Sequence, residues 1–143
     1  MEDLIDELTR GNVTEVKVIL ASVVLALAVY QLLLAAVAYG WVRLPFLESH
    51  PASWAHRASG DAIVVLTVLV AVACISYYGF EFEDEGGAHA IFGAILLGVI
   101  ALKVIAVRVG GGLGRLLPLL GVSLLALFTA TWLSSAGDFL GVG

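Results

Sequence analysis

Residues 62–80 read AIVVLTVLVAVACISYYGF, nineteen positions without one charged side chain. A helix needs about 20 apolar residues to cross the hydrocarbon core of a bilayer. The stretch shows no strict alternation of apolar and polar residues, so it is not the strand of a membrane barrel. A spanning backbone must then satisfy its own hydrogen bonds, which leaves the helix.

Three further runs have the same character. Val18 to Tyr39 is broken only by Ser22 and Gln31, Ala88 to Leu102 continues past Lys103 to Val109, and Leu116 to Leu133 holds Pro118 near its start. The fold expected is all-α, an integral membrane four-helix bundle forming a single domain over residues 1–143, with helices at about 16–41, 57–80, 88–109 and 115–135. Composition agrees. The chain of 143 residues is 61% hydrophobic and 13% charged, with a mean hydropathy of +1.05. Soluble domains carry about 25% charged residues, so a water-soluble globule is excluded. One cysteine excludes a disulfide scaffold, and a net charge of −5 has the wrong sign for nucleic acid.

The charges are sided. Residues 1–17 carry five acids and the bases Arg10 and Lys17, and Glu81, Glu83, Asp84 and Glu85 follow the second helix with no base. The other two connections hold Arg43, Arg57, Lys103, Arg108 and Arg115, against Glu48 and Asp61. The positive-inside rule makes the basic face cytoplasmic and puts both termini on the extracytoplasmic side of a multi-pass cell-membrane protein. Tyr39, Trp41 and Trp54 should mark the inner boundary, and Tyr77, Tyr78 and Trp132 the outer one. Residues 1–10 begin acidic, so no cleavable signal peptide is expected, and Leu4, Ile5 and Leu8 share a face of a short surface turn.

Small motifs add little. Asn12-Val13-Thr14 matches a glycosylation sequon, Cys74 reads as a packing residue, and residues 110–114, GGGLG, lack the Lys-Ser/Thr of a phosphate loop and read as a connector. The acidic run 81–85 reads as a solvated loop.

Two of the three histidines share a neighbourhood. His56 and His89 each open a membrane helix and are followed four residues later by Gly60 and Gly93. Residues four apart lie on one helical face, and a glycine there clears room for a flat ligand held by the imidazole. Haem iron takes imidazole axially, so the pattern points to haem b with His56 and His89 as iron ligands and His50 as a weaker candidate. The bland reading is an interfacial hydrogen-bonding histidine beside a glycine that lets helices pack. If each histidine sits at its own membrane boundary, their depths differ by roughly 30 Å, too far for one porphyrin to join them. Either there are two sites, each needing a second ligand from a symmetric dimer, another subunit or elsewhere in the chain, or only one of the two histidines is a ligand.

Near the inner histidine, Arg57 and Asp61 are spaced to pair, and Asp61 is the candidate for a proton path. Lys103 and Arg108 bracket the inner end of the third helix. With Arg57 they suit anionic lipid as anchors, or haem propionates or a quinone headgroup as ligands.

The paired HxxxG helices resemble the central helices of cytochrome b561-like transmembrane electron carriers. They resemble more closely a small prokaryotic four-helix membrane family, through His56-Arg57, Gly60, His89, Gly93, Lys103, Arg108, Pro118 and the stretch Trp132-Leu133-Ser134-Ser135-Ala136. The resemblance covers about 80 residues of helices two to four. It implies a b-type haem protein that passes electrons, with a quinol as donor or acceptor, rather than a self-contained enzyme. In cytochrome b561 proteins each haem is held by histidines two helices apart, which here implies partners from helices four and one. Neither contains a histidine, so a homodimer or other membrane subunits are implied. Other readings are a cofactor-free accessory subunit, with Gly93, Ala94, Gly98 and Ala101 permitting close helix contact, and a proton-coupled carrier using Asp61 and His56.

Overall fold

The longest run of buried side chains lies on the first helix, which packs directly against the second and the fourth. The computed structural model describes residues 12–79, 87–137 and 140–141. The turn at Leu4, Ile5 and Leu8 and the acidic run 81–85 lie outside the described residues, as do the side chains of Tyr77 and Tyr78. Four α-helices follow in order: α1 (Val13–Ala38), α2 (Ser49–Tyr78), α3 (Gly87–Val109) and α4 (Leu117–Trp132). Each contains a stretch long and apolar enough to cross a membrane, and together they give the chain the make-up of a multi-pass membrane protein.

The helix ends follow from local chemistry. α1 closes on Gly40, whose φ of 74° is the left-handed conformation that glycine adopts without a Cβ clash. The Trp41 N–H reaches back to Ala36 O (2.9 Å) and the Gly40 N–H to Val37 O (3.0 Å), the paired bonds of a Schellman cap. α2 starts eight residues before the expected 57, because Pro51 falls in the first turn, where its missing N–H has no intrahelical partner to lose. The glycine run after α3 is not a slack connector: Gly111–Leu116 is a 3₁₀ helix leading directly into α4, with Pro118 in the first turn. α4 ends sooner than the expected 135, passing at Leu133–Gly137 into a π-helical turn.

Packing does not follow chain order. α1 packs against both α2 and α4, α3 rests chiefly on α4, and α2 and α3 touch only slightly. All four still meet at the centre, where Val24, Ala28, Ile63, Leu96, Ile100, Leu124 and Phe128 form one buried cluster. A smaller cluster of Leu34, Val37 and Ala52 closes the end of the α1–α2 pair. Tyr39, Trp41 and Trp54 are exposed at that end, where Tyr39 and Trp41 stack at 5.5 Å. Trp132 closes α4. It is half-buried, and its indole N–H donates to Ser22 Oγ (2.9 Å), tying α4 to α1.

Candidate histidine sites

His56 lies two turns inside α2, facing α1. Its Nδ1 is 3.1 Å from the main-chain oxygen of Gln31. A carbonyl oxygen only accepts, so Nδ1 carries the proton and donates. In the neutral ring this leaves Nε2 with its lone pair. Gln31 answers from the same place: its Nε2 donates to His56 O (2.7 Å) and to Ser59 Oγ (2.6 Å), while Ser59 donates to Ala55 O (2.6 Å). Both amide hydrogens are thus used. The amide oxygen Oε1 is fully buried and has no partner.

His89 repeats the arrangement on the other pair of helices. Its Nδ1 is 3.2 Å from Thr131 O on α4, so it too donates to a carbonyl and presents Nε2 as an acceptor. Ser134 Oγ lies 3.4 Å from the same Nδ1 and donates to Thr131 O (3.1 Å), as does Ser135 Oγ (3.1 Å). One carbonyl therefore gathers three side-chain donors where the α-helix passes into the π turn. Single π turns of this kind recur at functional sites. The Thr131 hydroxyl is buried and unpartnered, as is that of Thr67 in α2.

The two glycines differ. A Cβ added at Gly93 would meet nothing within 4 Å, whereas one added at Gly60 would lie 3.5 Å from Gln31 Nε2. The clearance expected beside His89 exists; beside His56 it is filled by Gln31 from α1.

The other expected residues scatter. Lys103 is half-buried, and its charge acts on His56 together with that of Arg57. Arg57 and Arg108 are exposed, as is His50 near the start of α2. Arg57 and Asp61 do not pair as their spacing suggested: both are exposed and no ion pair joins them. A solvated pair of this kind gains at most about 1 kcal/mol, too little to hold two side chains together. Among the described residues no group of three or more His, Cys, Asp or Glu side chains gathers to hold a metal ion. A cavity of about 420 Å³ opens at the α1–α2 connection beside Arg43, Leu44, Leu47 and Glu48, lined by neither histidine.

Gln31, Ser59 and Thr131 join these sites without having been expected from sequence. A signal existed for one of them. Ser22 and Gln31 are the two polar interruptions of the α1 run, and each makes an interhelical hydrogen bond, as polar groups in an apolar span tend to. Main-chain acceptors such as Thr131 O leave no mark in sequence.

A family described as "Family of unknown function (DUF6529)" matches residues 5–142. The chain belongs to that family. No curated protein and no solved structure matches it. The matched region spans all four helices.

Proposed function

We propose that this DUF6529 protein is a b-type haem-binding membrane protein for electron transfer, related in plan to the cytochrome b561-like carriers, with a quinol as donor or acceptor. The observation that carries the reading is the twin anchoring of His56 and His89. Histidines that ligate metals donate their other ring N–H to a carbonyl or carboxylate, which fixes the tautomer and aims the free nitrogen. Both imidazoles have this partner, on different helices and at opposite ends of the bundle core.

The residues fit the group at His89 through the open space at Gly93. At His56 a flat ligand has to lie away from Gln31. Each site supplies one imidazole, so a second ligand would have to come from another copy, another subunit or an atypical donor. Bound haem would supply a one-electron couple; the chain would hold it and tune its potential through ligand and burial. Arg57, Lys103 and Arg108 are the proposed partners of propionates or of a quinone headgroup at the inner end, and Asp61 the proposed proton path. The basic end is assigned to the cytoplasm and both termini to the outside of the cell membrane.

The expected result for purified, haem-replete protein is a reduced-minus-oxidised spectrum with Soret and α bands, diminished by His89→Ala and by His56→Ala. Colourless protein under those conditions would overturn the proposal.

A second reading, a cofactor-free accessory subunit, is favoured by one feature. Ala94, Gly98 and Ala101 lie exposed on one side of α3, where a helix of another subunit can approach closely. Stable colourless protein obtained only with a co-purifying membrane partner would select it.

A further inference from the structure

Lys17 follows the acidic N-terminal segment in sequence, yet α1 begins at Val13 and places it in the second turn, inside the membrane span that starts at Thr14. Along α1, Lys17, Ala21, Val24, Ala28 and Gln31 recur at steps of four and three. Val24, Ala28 and Gln31 are buried, and Lys17 and Ala21 half-buried, so this is the stripe that α1 turns toward the bundle. The stripe is apolar in the middle and polar at both ends. Gln31 meets His56 at one end.

Lys17 stands at the other end, near His89. Ser22 fixes the register: it accepts from Trp132, the neighbour of the residue whose carbonyl holds His89. Lys17 lies five residues beyond Ser22 toward the same end, about 7.5 Å along the axis, with a flexible four-carbon stem to span the difference. Its charge acts on His89 accordingly.

Resting on the haem reading above, we infer that Lys17 binds a propionate carboxylate of a haem held by His89. The porphyrin edge carries two carboxylates, and an ammonium beside a carboxylate in a partly buried setting makes a charge-assisted hydrogen bond.

The test titrates the detergent-purified protein with haem and with haem dimethyl ester, whose propionates are capped, and follows the Soret band. Running it in both wild-type and His56→Ala protein isolates the outer site. The free acid is expected to bind about tenfold more tightly than the ester, equivalent to ~1.4 kcal/mol. Lys17→Met should abolish that preference while binding the ester unchanged, and Lys17→Arg should retain it. Equal affinity for the two porphyrins, or a preference that survives Lys17→Met, overturns the assignment while haem binding stands. A changed ligation spectrum of the ester complex in Lys17→Met also overturns it, by putting the amine on the iron. No Soret band with either porphyrin removes the underlying haem reading instead.

Discussion

Gln31 separates two roles that one residue rarely combines. Its main-chain oxygen receives His56, and its side chain braces the α2 backbone and Ser59. Gln31→Leu removes the bracing but keeps the carbonyl. It also removes a buried oxygen without a partner, whose desolvation costs about 1–3 kcal/mol. The losses and the gain nearly offset, so thermal unfolding in detergent should move by no more than about 1 kcal/mol, and the haem spectrum should persist. A spectrum lost with the fold intact would mean that the side chain, not the carbonyl, sets the imidazole. Gly93 supplies the complementary test. Gly93→Ala adds a Cβ that meets nothing and improves helix propensity by about 1 kcal/mol, so the apoprotein should be as stable or more so. Gly93→Phe should leave the fold in place and cut the haem bound per chain, read by pyridine haemochrome.

At the scale of helices, the tie from Trp132 to Ser22 joins the last helix to the first. Interhelical hydrogen bonds in bilayers average about 0.6 kcal/mol, so Ser22→Ala alone should destabilise only slightly. A double-mutant cycle with Trp132→Phe should return a coupling of that size; no coupling would make the contact incidental. The same tie revises the depth argument. His56 registers on α1 at Gln31, and the residue beside Thr131 registers at Ser22. Those points are nine residues apart, about 14 Å, well short of the roughly 30 Å expected from one helix end to the other. The difference arises because α2 begins at Ser49, which carries His56 two turns into the bundle. Helix number, apolar spans and the two histidines were legible in sequence, since each depends on composition or on spacing along one helix. The start of α2 was not, because Glu48, Arg57 and Asp61 set the charged stretch before the apolar run 62–80 apart from it. Nor were the carbonyl anchors, which depend on how helices distant in sequence are set beside each other.

For the whole molecule, the distribution of charge makes a prediction about orientation. Five of the seven bases belong to the end bearing the α1–α2 and α3–α4 connections. Epitope tags at either terminus should be cut by protease added outside intact cells, and a tag inserted near Arg43 should be protected. Protection of both termini would invert the assignment, and with it the naming of inner and outer histidine sites. The order of packing has a separate outcome for how the bundle is made. α1 and α2 are adjacent both in the chain and in space, so they can pair as soon as the second has entered the bilayer. α3 has little to rest on in what precedes it, and the face bearing Leu96 and Ile100 gains most of its cover only when α4 arrives. During synthesis there is thus an interval in which His89 is already in the membrane while Thr131, which will hold its ring, has yet to leave the ribosome.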